Sequence, residues 1–169
     1  MNKTILIAVL IFAFIGGNAQ ETEKLSRKEK KALKEAKQIE ETKALLDNKV
    51  YVFSPTQALP SSMRSRNLDG SFSAKINNDT IDCYLPFYGR AYSADYGSSD
   101  GPFTFTLPIE NYTMENSKKG YMVKFEVKNK NDNINFMFQI GETGSATLNL
   151  TSTNRQSISY YGNIEKPDK

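Results

Sequence analysis

The side chains best suited to binding a ligand lie in one segment, residues 84–102, which is rich in tyrosine and glycine. Tyr88, Arg90, Tyr92 and Tyr96 follow one another closely there. A tyrosine ring offers a flat apolar face together with a hydroxyl group, and an arginine adds a planar fork of hydrogen-bond donors. Because this combination suits the face of a sugar or a peptide chain, we predict that these four residues form a ligand-binding site.

The same segment has two alternative interpretations. In the first, its aromatic residues cap one end of a β-sheet, and Arg90 pairs with a buried carboxylate or carbonyl group. In the second, Asp95 and Asp100 hold a calcium ion together with backbone carbonyl groups, although the D-x-[DN]-x-[DN]-G pattern of a calcium-binding loop is absent. Our prediction is that the chain has no metal site.

The composition excludes several kinds of catalytic chemistry. The chain contains no histidine and one cysteine, which rules out a histidine-dependent catalytic triad, a histidine-containing zinc site and an intramolecular disulfide bond. The one cysteine, Cys83, lies on the apolar phase of an alternating run, so we predict that it is a buried core residue. The net charge of +3 is too small to indicate a nucleic-acid partner. We therefore predict a protein that is not an enzyme and that carries no cofactor.

Residues 1–19 have the features of a secretory signal peptide. Lys3 is followed by an unbroken apolar run from Ile5 to Ile15, and small residues then precede a cleavage site between Ala19 and Gln20. Eleven apolar residues in a helix extend only about 16 Å, roughly half of the hydrocarbon core of a membrane. The sequence thus predicts a cleaved, exported protein, periplasmic or extracellular, with no membrane span in the mature chain.

The charged residues and the helical spacing of the apolar residues in residues 20–48 predict a charged helix. Ser26 and Glu29 fit a capping box, and the acidic and basic residues that follow surround a thin apolar stripe that includes Leu33 and Leu46. Asp47 and Asn48 then end the helix. Such a stripe can dock on one surface but cannot form a core, so the helix either stays solvated or docks on a partner.

Residues 49–165 change to a period of two, which is typical of strands with one buried face. Short alternating runs are separated by polar turns, beginning with a first strand at residues 50–53, a polar stretch between Pro55 and Pro60, and an exposed loop at residues 61–70. We count about nine strands in this pattern. The fold class is accordingly mainly β, an antiparallel meander that forms a sandwich or a partly closed barrel, with one N-terminal α-helix. Residues 166–169 form a C-terminal tail.

Three separated blocks, at residues 85–92, 144–148 and 154–162, resemble the DUF4251 family of uncharacterised exported Bacteroidetes proteins. Their sequences are LPFYGRAY, GSATL and NRQSISYYG. The resemblance extends from about Lys30 to Glu165. It implies a bacterial protein that is exported to the cell envelope, and it implies no activity and no catalytic residue.

These observations leave three hypotheses about function. The first is a non-catalytic ligand- or partner-binding module of the bacterial cell envelope, whose partner is an envelope component, a peptide or a glycan. The second is a structural or assembly protein that docks through its N-terminal helix. The third is a hydrolase that depends on carboxylates, although nothing in the spacing of the acidic residues indicates a general acid/base pair.

Overall fold

The structure is a computed structural model that describes residues 26–92 and 101–167 of the 169-residue chain. The predicted signal peptide, residues 1–19, lies outside the described residues, and so does Tyr96. The chain divides into two units, residues 1–33 and residues 34–169.

In the first unit, the described residues contain the start of helix α1, which extends from Arg27 to Asp47. The backbone nitrogen of Ser26 donates to Oε2 of Glu29 at 2.6 Å, and the backbone nitrogen of Glu29 donates to Oγ of Ser26 at 3.3 Å. These two bonds are the predicted capping box. The first bond also lowers the pKa of Glu29, because the backbone nitrogen of Ser26 donates to the ionised carboxylate.

Ten β-strands follow in the second unit, counted over the described residues. They are β1 (Val50–Pro60), β2 (Arg66–Asn67), β3 (Ser73–Asn77), β4 (Thr80–Leu85), β5 (Phe103–Pro108), β6 (Glu110–Ser117), β7 (Gly120–Asn129), β8 (Asp132–Gly141), β9 (Ser145–Ser152) and β10 (Ile158–Glu165). The predicted fold class, mainly β with one N-terminal α-helix, is confirmed.

The strands form one antiparallel sheet that is nearly closed into a barrel. Its order is β5-β4-β3-β1-β10-β9-β8-β7-β6, so most neighbours in space are also neighbours in sequence, and the short β2 pairs with β1. The pairing of β1 with β10 brings the first and last strands together. The opening lies between β5 and β6, which are separated by Ile109 alone: the chain pairs with β4 before this residue and with β7 after it. The predicted antiparallel meander is confirmed, and it curls into a barrel.

The first strand is longer than the sequence predicts. The sequence predicts a polar stretch between Pro55 and Pro60 after the start of this strand, but β1 continues to Pro60. Proline has no N–H to donate to a ladder. The register of β1 against β10 shifts between Pro55 and Gln57, which is the mark of a β-bulge. A bulge tolerates the missing donor because the ladder is already interrupted there.

Alternate residues of the long strands point into the barrel and form its core. Phe125 of β7 and Phe136 of β8 are paired across the ladder, and their rings stack at a centroid distance of 4.8 Å. Phe138 meets Phe53 of β1 edge to face at 5.4 Å. The predicted period of two is therefore correct, since Phe125, Phe136 and Leu148 are all buried on the same side of the sheet.

The last turns of α1 pack on the barrel within the second unit. Thr42 and Leu46 are buried, with exposures of 5% and 1%. Gly144, in the turn between β8 and β9, has a φ of +91°, and a Cβ atom on it would lie 3.3 Å from Oγ1 of Thr42. The missing side chain thus leaves room for the helix. Among the described residues, no helix has both the length and the apolar character that crossing a membrane requires.

Candidate functional site

Three loops meet at one end of the barrel, which we call the distal end. They are residues 61–65 between β1 and β2, residues 86–92 after β4, and residues 153–157 between β9 and β10. An antiparallel meander places alternate turns at the same end of a sheet, so the topology itself brings these loops together.

The segment that follows β4 is held by backbone hydrogen bonds. Ala91 and Arg155 form an antiparallel β-bridge. The backbone nitrogen of Tyr92 donates to the carbonyl oxygen of Asn154 at 2.7 Å, and that of Gln156 donates to the carbonyl oxygen of Arg90 at 3.0 Å. This part of the predicted binding segment therefore has a fixed path along the neighbouring loop.

The side chain of Gln156 ties the same two loops to the third. Its Oε1 accepts from the backbone nitrogen of Arg90 at 3.3 Å and from Oγ of Ser62 at 3.1 Å. Oγ of Ser61 also donates to the carbonyl oxygen of Ser157 at 2.5 Å. Each loop at this end is consequently bonded to at least one other.

Tyr88 carries an arginine on its ring. The guanidinium carbon of Arg66, in β2, lies 4.6 Å from the centroid of the half-buried Tyr88 ring. A guanidinium group in this position is attracted by the ring and holds a stacked orientation. Arg66 is itself exposed, so solvent can reach the N–H donors of a guanidinium group that the Tyr88 ring already holds in place.

The other predicted residues lie on the same segment. Tyr92 is 69% exposed, and Arg90 is exposed as well. Sequence reasoning identified Tyr88 but not its partner Arg66, which is distant in sequence and lies in a stretch that the pattern assigned to an exposed loop. We use the name distal surface for Arg66, Tyr88, Arg90 and Tyr92.

A second arginine that sequence reasoning missed fixes the base of this segment. The guanidinium carbon of Arg155 lies 5.2 Å from the Phe87 ring centroid and 4.8 Å from that of Phe103. Its Nη1 donates to the carbonyl oxygen of Gly101 at 2.8 Å. The alternative in which the segment caps the sheet predicted that Arg90 pairs with a carboxylate or carbonyl group. In the structure, Arg155 makes a contact with a carbonyl group of this kind.

Tyr160 supports the segment from inside the barrel. Its hydroxyl group donates to the carbonyl oxygen of Pro86 at 2.7 Å. Burial raises the pKa of Tyr160 well above its ordinary value of 10.0, so the hydroxyl keeps the proton that it donates. A buried tyrosine donor and Arg155 thus hold the two flanks of the loop.

Cys83 and the acidic side chains are the described groups that could take part in catalysis. Cys83 is 1% exposed in the core, as predicted, and burial raises its pKa, which keeps the thiol protonated and a poor nucleophile. Within residues 26–92 and 101–167, no three His, Cys, Asp or Glu side chains are grouped so that they could hold a metal ion. The described part of the distal end offers aromatic faces and guanidinium donors, groups whose chemistry is stacking and hydrogen bonding.

Comparison with known families gives a match over most of the chain. The model of the domain of unknown function DUF4251 matches residues 33–164, a range that contains all three blocks on which the resemblance rests. The chain belongs to the DUF4251 family. The predicted resemblance is confirmed.

A solved structure of another DUF4251 family protein, from Bacteroides eggerthii DSM 20697, is similar to this DUF4251 chain. The TM-score is 0.58 at 12% sequence identity, over 78% of this chain and 89% of the other. At that identity the likeness shows that the two proteins share a fold. No curated protein of known function matches the chain.

Proposed function

We propose that this DUF4251 protein is an exported, non-catalytic binding module of the bacterial cell envelope, and that its peptide or glycan partner contacts the distal surface. The observation that carries the proposal is the stacking of Arg66 on Tyr88. An arginine side chain loses rotamer freedom when it binds a ligand, and this loss of entropy opposes binding. Because the Tyr88 ring already holds the guanidinium group, less entropy is lost when the ligand arrives.

The loops around the stack support the same function. Hydrogen bonds from Ser62, Arg90 and Tyr92 to the loop at residues 153–157 fix the surface before a ligand arrives. The exposed ring of Tyr92 adds an apolar face. Rigid aromatic anchors beside a planar donor are the features that bind most strongly in protein interfaces.

Export is a further part of the proposal. Its support is the apolar run between Ile5 and Ile15, which follows Lys3 and ends in small residues. Fractionation of cells that produce the full chain, with detection of the N-terminal residue of the mature protein, tests it. We expect a periplasmic or secreted chain that starts at Gln20, and a cytoplasmic chain that retains Met1 would contradict export.

Binding can be tested on arrays of glycans and peptides, followed by calorimetric titration of the ligand that the array selects. We expect Arg66→Ala and Tyr92→Ala each to weaken binding about tenfold, as truncation of an interface anchor does. Arg64→Ala is the matched control for charge, since Arg64 is exposed in the same loop region. Tyr84→Ala is the control for the ring, since Tyr84 is 43% exposed on β4 and packs on Phe72. Equal affinities in all four folded variants would remove the distal surface from the site.

The second candidate function, assembly through the helix, is favoured by the exposed Leu33, which is 58% exposed on α1. Deletion of residues 21–37 tests it without removing the buried Thr42 and Leu46. Loss of partner capture with an intact β domain would favour assembly. Retained capture, together with loss in Arg66→Ala, would favour the distal surface.

A further inference from the structure

The outer face of two neighbouring strands carries no charged side chain. The outward-facing residues are Asn133, Asn135, Met137 and Gln139 on β8, and Ser145, Thr147, Asn149 and Thr151 on β9. Charged residues make up 24% of the whole chain. The next strand, β7, presents Lys124, Glu126 and Lys128 on its outer face. The uncharged surface is thus a local property of β8 and β9.

One row of side chains crosses this face at right angles to the strands. The strand pairings place Met122 beside Gln139, Gln139 beside Thr147, and Thr147 beside Tyr161 of β10. Tyr161 is in turn paired with Gln57 of β1. At a strand spacing of about 4.8 Å, four steps give the row a length of about 19 Å.

A depression of about 540 Å³ adjoins the row. Gln139, Thr147 and Tyr161 line it together with Lys119, which precedes β7, and Gly141 adds a position without a side chain at the end of β8. The ring of Tyr161, which is 47% exposed, stands at its edge. The surface therefore combines an accessible aromatic face with a concave floor.

The chemistry of the row fits a ligand whose groups both donate and accept hydrogen bonds. An amide side chain carries one oxygen acceptor and two N–H donors, and a threonine hydroxyl can do both. Sugar hydroxyl groups have the same double capacity, while the C–H face of a sugar ring is apolar and can stack on tyrosine. The row itself carries no charged side chain, so it gives no advantage to an anionic polymer.

We propose that the outer face of β8 and β9, with the adjoining Tyr161 of β10, binds a neutral polysaccharide, with Tyr161 as the stacking platform and Gln139, Thr147 and Asn149 as hydrogen-bonding partners. The site is separate from the distal surface. Its polymer lies along the row, because a length of about 19 Å exceeds one sugar ring and has room for several.

Affinity electrophoresis of the full chain tests this proposal. The gels contain a neutral glucan, a neutral mannan or a neutral galactan, and alginate serves as the anionic comparison. We expect at least one neutral polymer to retard the chain more than alginate does. Tyr161→Ala should weaken that retardation about tenfold, which corresponds to loss of an aromatic stacking contact. Gln139→Ala, an exposed substitution, gives an independent measurement if Tyr161→Ala is poorly folded.

Tyr84→Ala is the matched control, because Tyr84 is similarly exposed but lies on β4. It should leave the retardation unchanged. If no neutral polymer retards the chain, or if the Tyr161 and Gln139 variants bind as the unmodified chain does, the proposal is wrong. Neither result decides the role of the distal surface, which is tested separately with Arg66→Ala and Tyr92→Ala.

Discussion

Replacement of Phe136 by alanine is the sharpest stability test of the barrel. The Phe136 ring is 1% exposed, stacks on Phe125 at 4.8 Å and meets Phe105 edge to face at 6.5 Å. Truncation of a buried phenylalanine typically costs about 3–5 kcal/mol, and the two ring contacts place this residue near the upper limit. At a slope of about 2 kcal/mol per molar urea, the unfolding midpoint should fall by about 2.5 M.

The assay is urea unfolding followed by far-ultraviolet circular dichroism, since the chain has no tryptophan to report on unfolding. The control is Asn135→Ala, the adjacent residue on the outer face of the same strand, which should change the free energy of unfolding by less than about 0.5 kcal/mol. If Phe136→Ala does not fold, Phe136→Leu retains most of the volume and should cost about 1.5 kcal/mol. A cost below 1 kcal/mol for Phe136→Ala, or equal costs at positions 135 and 136, would refute a strand with one buried face.

Three further outcomes are expected. Gly162→Ala should cost about 3 kcal/mol in urea unfolding, because the added Cβ would clash with the backbone oxygen of Ser54 in β1, which cannot move aside. Arg155→Met should cost about 1–2 kcal/mol, since it removes a donor to a loop carbonyl group and the charge held over two rings. The free energy of unfolding should fall as the pH rises above about 9, because burial raises the pKa of Cys83, Tyr51 and Tyr160 in the native chain. Above that pH the unfolded chain releases protons that the native chain keeps. Each group then lowers the free energy of unfolding by up to about 1.4 kcal/mol per pH unit.

Each of these outcomes has a result that would contradict it. A Gly162→Ala chain as stable as the unmodified one would mean that β1 and β10 are not so close. An Arg155→Met chain of unchanged stability would mean that the loop is held by its backbone bonds alone. A free energy of unfolding that stays level from pH 8 to pH 11 would place the thiol and the two phenols in contact with water.

The buried face of each strand could be predicted because burial alternates within a single strand. In β8 the run Ile134, Phe136, Phe138, Ile140 shows the period of two without reference to any other strand. The β-bulge at Pro55 could not be predicted in this way, since it depends on a register against β10, more than a hundred residues later. The pairing of β1 with β10, which joins the two halves of the sheet, is likewise a contact between distant segments.

In the candidate site, too, the features of a single segment could be predicted from the sequence, and the contacts between distant segments could not. Tyr88 and Tyr92 could be found from one segment, because an excess of tyrosine is visible in a short stretch of sequence. Arg66 belongs to β2 and Arg155 to the loop between β9 and β10, and only the folded meander places them against Tyr88 and Phe87. An arginine in a polar loop has no local signal that distinguishes a stacked side chain from a solvated one.

Hydrogen–deuterium exchange of the full chain, with and without the ligand that the arrays select, tests the central claim most directly. Because a ligand on the distal surface covers loops that are already bonded to each other, we expect slower exchange in the peptides that contain residues 61–67, 86–92 and 153–157. Peptides from α1 should exchange at the same rate in both samples. Protection confined to α1, with the distal loops unchanged, would contradict the account and favour assembly through the helix.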